Sequence, residues 1–303
     1  MRHLTSTLKT IQNEKKLNIG EKLENIEKIL TGEISKKIIF KTLKKNNHFD
    51  LKSFEELYKL FEKSGNLESL GLILTNEFYN THTGNDEFLK KHMDFVSKPT
   101  NWARFIATSS LGVINMGNPK NSKEIFREYL PGGSRANSIY CLGGAYYGIG
   151  LMNVGTNNHE IMSFYREALA RGGNNKEPIQ HGIYLGLGLV AMATHDHDLY
   201  EFVREGIYTD DAIIGEAAGI AVGLIMVGSK DESAIDDLIK YVHDTQHEKI
   251  IRAIAIALAL IVYNSGEAAD SLIEQLSREK TDTKGKFEGK TEGVPHDQAW
   301  AHF

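Results

Sequence analysis

The sequence predicts an all-α fold, a helical-hairpin repeat array. Three observations carry this. A motif of small residues returns at near-constant spacing, each return lies in an apolar stretch of helix length, and an amphipathic stretch follows it. The motif reads SSLGVINMGN, YGIGLMNVGT, LGLGLVAMAT, AVGLIMVGSK and ALALIVYNSG. Its first small residue falls at Gly112, Gly150, Gly188, Gly223 and Ala259, spaced by 38, 38, 35 and 36 residues. Its second, five positions on, falls at Gly117, Gly155, Ala193, Gly228 and Asn264. A period in the range of about 20–50 residues marks stacked units.

Residues 1–65 are expected to form an N-terminal helical segment, broken at Gly20, Gly32 and Asn46–Asn47. The first 60 residues hold 13 Lys and Arg against 8 Asp and Glu, although the whole chain carries a net charge of −5. These cations are mostly lysines at helical spacing, with no arginine cluster and no interleaved aromatics. Solvated helix faces account for them, and no nucleic-acid partner is expected. Residues 66–100 read as a degenerate repeat: His82 stands 35 residues before Gly117, where a small residue is expected. Residues 101–280 hold five full repeats, and 281–303 read as a flexible or disordered tail.

Each unit reads as two helices. The first is apolar nearly all round, as in ANSIYCLGGAYYGIGLMNV and AIIGEAAGIAVGLIMV, and so must be buried on every side. The second is amphipathic: SKEIFREYL, HEIMSFYREAL, HDLYEFVREG, SAIDDLIKYV and AADSLIEQL. Asn118, Ser229 and Asp231 suit the turns between them as helix caps. A glycine inside a helix costs about 1 kcal/mol against alanine. Gly143, Gly144, Gly148 and Gly150 in one helix therefore imply a compensating gain, which is close approach of neighbouring helix axes. The last unit, IIRAIAIALALIVYNSGEAADSLIEQL, has the most apolar inner helix and no amphipathic pattern after it to act as a cap. Its C-terminal face is expected to drive self-association, recruit another chain or fray.

Composition narrows the function. Cys141 is the single cysteine, so no internal disulfide forms. The longest apolar run, Ala253–Tyr263, is too short to span a membrane, and the N-terminal residues lack a signal-peptide core. His195-Asp196-His197-Asp198 lies at a turn, and adjacent residues do not converge on one metal. Catalytic residues, metal and cofactor are all expected to be absent. Polar residues beside the inner helices, His181, Glu216, His247 and Arg252, are candidates for a buried polar ladder. Glu216 is expected to be buried, paired with Arg252, His181 or a backbone amide, and costly to remove by about 3–5 kcal/mol.

Segments ILTGEISKKIIFKTLKKNNHFDL (29–51), NWARFIATSSLGVINMGN (101–118), IQHGIYLGLGLVAMAT (179–194), the long run 208–263 and EAADSLIEQLSREK (267–280) resemble the proteasome/cyclosome repeat family. Within it they are similar to the branch of the larger non-ATPase ring subunit in the 26S proteasome base. The family motif falls on Gly112, Gly117, Gly150, Gly155, Gly188, Gly223 and Gly228, and departs at Ala193, Ala259 and Asn264. The resemblance implies an α/α toroid of two concentric helix layers, here expected to be an open arc because five repeats are too few to close. It implies a scaffold without enzymatic activity, in cytoplasm and nucleus, that contacts lid subunits, the ATPase ring and ubiquitin-related factors. Family members carry a longer upstream rod, further repeats and a segment that docks a ubiquitin receptor. The match stops at Lys280, so receptor docking is not expected. A generic helical-repeat adaptor is the second reading, and a metal-dependent hydrolase using His195 and His197 is a distant third.

Overall fold

The computed structural model describes residues 20–274 apart from 31, 49, 172–176 and 271, so the expected tail at 281–303 lies outside the described residues. Among the described residues every regular element is helical. Helices α1 (Gly20–Leu30), α2 (Glu33–Lys45) and α3 (Leu51–Phe61) come first. The chain continues through α4 (Asn66–Asn80), the short α5 (Glu87–Lys91) and α6 (Met93–Val96), α7 (Asn101–Ile114) and the four-residue α8 (Ser122–Ile125). It ends with α9 (Ile139–Met152), α10 (His159–Arg171), α11 (Glu177–Val190), α12 (His197–Tyr208), α13 (Ala212–Ile225), α14 (Glu232–Asp244) and α15 (Glu248–Ile261).

Two layers result. Helices α4, α7, α9, α11, α13 and α15 stack side by side as the inner layer, each packed on the next. Their all-round apolar character has the expected consequence: Ile149, Ile183, Leu187, Val222, Ile225, Ile254 and Ile261 are fully buried. Helices α10, α12 and α14 form the outer layer and bury one side only, through residues such as Ile161, Tyr165, Leu199, Val203 and Leu238. Acidic caps start the outer helices α12 and α14 and the inner helix α13. Asp196 accepts from the Leu199 amide, Asp211 from Ile213 and Ile214, and Asp231 from Ala234.

The outer element of the first full unit differs from expectation. SKEIFREYL is not one amphipathic helix but a broken run: a 3-10 turn at Pro119–Asn121, then α8, then a second 3-10 turn at Arg127–Tyr129. Asn118 precedes it without a side-chain cap bond. The physical reason lies in Phe126 and Tyr129. Both are buried, with Phe126 seated against the backbone at Gly148, and Pro131, Gly132 and Gly133 then stop any helix.

The seams between inner helices obey one register. A Cβ built at Gly112 would lie 2.6 Å from Cα of Gly148; at Gly188, 2.6 Å from Cα of Ala221; at Gly223, 2.6 Å from Cα of Ala257. Gly150 meets Gly186 in the same way. The first motif position of each unit thus faces the residue two before that position in the next unit. No side chain fits there, which is the gain that offsets the helix penalty of these glycines.

The turns add a second register. The residue at the second motif position adopts a left-handed backbone, φ 63° at Gly155, 57° at Ala193 and 69° at Gly228, and so does the residue two further on, at Asn157, His195 and Lys230. Both amides then point at the next inner helix. Gly155 and Asn157 donate to the carbonyls of Leu189 and Val190, Ala193 and His195 to Leu224 and Ile225, and Gly228 and Lys230 to Leu260 and Ile261. The degenerate unit does the same without its small residue: His82 (φ 61°) and Gly84 donate to Val113 and Ile114. The turn at Gly117 lacks this pair of bonds. Pro119 occupies the second donor position and has no N–H, and the Phe40 ring of α2 lies over Gly117.

In the degenerate unit the first motif position is Glu77, a carboxylate where later units have glycine or alanine. It is half-buried, and burial alone pushes its carboxyl from 4.5 up to about 7. The folded state therefore holds this proton more tightly than the unfolded chain, so its contribution to stability falls as pH rises from about 4.5 through 7. With partial exposure discounted, Glu77→Gln is expected to stabilise the protein by about 1–2 kcal/mol at pH 8. At pH 4.5 it should have almost no effect; thermal melts at the two pH values check this.

Candidate interaction surfaces

Position seven before the motif small residue is Gly143, His181, Glu216 and Arg252 in successive units. It faces position ten before the small residue in the following unit, by the same seam register. Gly143 meets the carbonyl of Pro178, the His181 Nδ1 lies 2.8 Å from the carbonyl oxygen of Ile213, and Glu216 faces Lys249 with Oε2 to Nζ at 3.9 Å. Three of these side chains converge with Trp102 and Ile213 on a notch of about 180 Å³ at the N-terminal ends of α7, α11, α13 and α15. The Trp102 and His181 rings meet edge to face at 5.2 Å. Burial lowers the His181 pKa below its ordinary value, so the imidazole is neutral at pH 7.

The ladder of four residues is not assembled as one. Only His181 and Glu216 share the notch. His247 precedes α15, half-exposed, with Nε2 3.9 Å from Asp210. Arg252 is exposed on the far side of α15. Glu216 is also less buried than expected: its side chain is 33% exposed and its partner is Lys249, not Arg252 or His181. The reason is the register, which places residue 249 rather than 252 opposite residue 216. A half-solvated pair contributes about 0–1 kcal/mol, so Glu216→Ala should cost no more than about 1 kcal/mol in urea unfolding.

His195 and His197 do not form a common site. His195 Nε2 lies 2.7 Å from the Val227 carbonyl oxygen and His197 Nε2 lies 3.3 Å from Asp231, so both bridge to the following unit. Among the described residues no three His, Cys, Asp or Glu side chains gather to hold a metal ion. Cys141 is buried and its thiol is pushed up by burial, an inert setting.

A second surface lies on the outer layer. The broken element after α7 is too short to fill the space a full helix would take, and leaves a groove of about 580 Å³. Its floor is Leu130, Leu142, Tyr146, Phe164 and Ile179. Lys123, Arg127 and Arg171 on the rim are each paired within the chain, to Glu160, Glu124 and Glu167. Sequence reasoning missed this groove because the run SKEIFREYL carries a helical pattern. The fully buried Tyr165, which donates to the carbonyl of Tyr146 between α9 and α11, was also missed; the nearby Gly186, which leaves room for its hydroxyl, is its sequence trace.

Among the described residues neither the notch nor the groove sets a nucleophile beside a base. Among the described residues no helix is long and apolar enough to cross a membrane.

Comparison with known proteins adds a family resemblance. Residues 217–251 match the proteasome/cyclosome repeat. The chain is 40% identical over 271 residues to the 26S proteasome non-ATPase regulatory subunit 1 of Drosophila melanogaster, covering 87% of this chain and 26% of that protein. It is 40% identical over 263 residues to homolog A of the same subunit from Arabidopsis thaliana, covering 86% and 26%. To the 26S proteasome regulatory subunit rpn2 of Schizosaccharomyces pombe it is 35% identical over 255 residues, covering 84% and 26%. The chain thus spans about a quarter of the length of the curated relatives it matches.

Proposed function

Because the chain belongs to the proteasome/cyclosome repeat family, we propose that it is a non-enzymatic scaffold of the 26S proteasome regulatory particle, acting in ubiquitin-dependent degradation in cytoplasm and nucleus. Its partners on this reading are lid subunits, ATPase subunits and ubiquitin-related factors. The observation that carries the proposal is the similarity to regulatory non-ATPase subunits along 87% of the chain, far beyond the single repeat matched at 217–251.

The physical case agrees. A scaffold needs a rigid frame with large accessible faces. An enzyme needs a concave pocket in which ionisable groups converge. Here the polar groups that converge in the notch are an ion pair and a neutral imidazole already bonded to a carbonyl.

Affinity purification of the tagged full chain from its own organism, with quantification of co-purifying proteins, tests this. Recovery of lid and ATPase subunits in comparable amounts is expected. Recovery with unrelated proteins and no proteasome subunit would overturn it in favour of a helical-repeat adaptor of another assembly.

A further inference from the structure

The groove on the outer layer belongs to the middle of the array, where described units flank it on both sides. One wall is α8 with the 3-10 turn at Arg127–Tyr129, and the other is α10. Leu142 and Tyr146 of α9 and Ile179 of α11 make the floor, with Phe164 leaning in from α10. Leu130, Leu142 and Phe164 remain only partly buried. The Tyr146 and Phe164 rings lie 5.6 Å apart, so the trough has an aromatic base.

The charged side chains that line it are Lys123, Arg127 and Arg171 against Glu124 alone, an excess of cations in a chain whose net charge is −5. These cations are not equally engaged. Lys123 crosses to the next unit, its ammonium 2.6 Å from Glu160 and 5.2 Å above the Phe164 ring. Arg204 of α12 crosses in the same way to Asp237 of α14. Arg127 and Arg171 do not cross. Among the described residues Arg127 pairs with Glu124 and Glu128 of its own wall, and Arg171 with Glu167 one turn back. Their side chains are 69% and 73% exposed, and local surface pairs of this kind contribute little and exchange readily. Two loosely held guanidinium groups thus stand on opposite walls of an apolar trough.

The backbone of an occupant must also be satisfied over that apolar floor. An extended segment would need a sheet edge to pair with, and among the described residues there is none. A helix satisfies its own backbone and reads such a trough with side chains one turn apart. The outer layer already uses this geometry: Arg166 of α10 lies 5.0 Å above the Phe202 ring of α12, as Lys123 lies above Phe164.

We propose that this groove is the docking site for an acidic amphipathic helix of a partner protein. Apolar side chains one turn apart rest on Leu142, Tyr146 and Phe164, and carboxylates on the flanks of the helix take Arg127 and Arg171 from their local pairs. The site does not rest on the scaffold reading above, since the groove and its charges are the same in any assembly.

Fluorescence anisotropy tests this, with the full 303-residue chain titrated into a labelled, stapled helix of about 15 residues that carries leucine on one stripe and glutamate elsewhere. Saturable binding is expected. A second peptide with the same leucines and lysine in place of glutamate should bind at least about tenfold more weakly. The net charge of −5 works against this order, so the preference reports the groove and not the whole surface. Arg127→Glu combined with Arg171→Glu should reverse the order while circular dichroism stays helical. Ala168→Trp fills the groove from the α10 wall and should weaken the glutamate peptide at least about tenfold. Equal binding of the two peptides by the parent chain overturns the proposal, as does binding of neither. An order that the double substitution leaves unchanged, or a glutamate peptide held as tightly by Ala168→Trp as by the parent, places docking elsewhere and overturns it too.

Discussion

Gly182→Ala is expected to destabilise the protein by about 2–4 kcal/mol, although alanine is the better helix former by about 1 kcal/mol. The new methyl would stand 2.7 Å from the carbonyl carbon of Gly143, and closer still to its oxygen. These are backbone atoms of α9, so no side chain can turn aside; α9 and α11 must separate, and that loosens the seam along its length. Gly150→Leu and Gly223→Leu act on the same kind of contact. Gly71→Ala gives the contrast, because its helix position is open and the propensity gain of about 1 kcal/mol should appear as added stability. Urea unfolding of the set measures all four. If Gly182→Ala were as stable as the parent, close backbone approach would not be what joins α9 to α11.

Phe126→Ala is expected to cost about 3–5 kcal/mol, the usual range for emptying a fully buried aromatic site. The ring fills the space beside Gly148 that the shortened outer element leaves, with its Cε1 2.9 Å from where a Cβ on Gly148 would sit. The two positions should therefore be coupled. Gly148→Ala alone drives a methyl into the ring and should destabilise. In the Phe126→Ala background the methyl has room and should be tolerated. A double-mutant cycle is expected to give an interaction of roughly 1–3 kcal/mol. Strict additivity would mean that the ring and the glycine are not in contact.

The repeat period, the two layers and the close approach at Gly112, Gly150, Gly188 and Gly223 were legible because each rests on local pattern. Apolar residues all round an inner helix leave burial as the only outcome, and glycine in such a helix leaves little but contact as its explanation. The partners across a seam were not legible. Whether Glu216 faces residue 249 or 252 depends on how far one helix slides along its neighbour, and that offset is set by the packing of whole helices. The broken outer element escaped for a related reason. SKEIFREYL has helical periodicity, and only the tertiary demand that Phe126 and Tyr129 both turn inward defeats it. Buried Asn80, Asn115 and Asn153 were also missed. They follow the first motif position by three residues, and each donates its amide to a carbonyl four residues back.

The turn at Gly117 has a mechanical meaning. Every other described turn between stacked inner helices ties the two units together at their turn edge by a pair of amide-to-carbonyl bonds, so those seams resist opening like a riveted joint. Between α7 and α9 the rivets are missing: Pro119 has no proton to give, and the Gly117 amide, under the Phe40 ring, reaches no carbonyl of α9. The glycine contact of Gly112 on Gly148 remains, but it lies within the helices and resists compression rather than splaying. This seam is a compliant line in an otherwise stiff sheet of helices. Strain applied to the array should concentrate there, and a change in its curvature can be absorbed at one joint while the repeats on either side move as blocks.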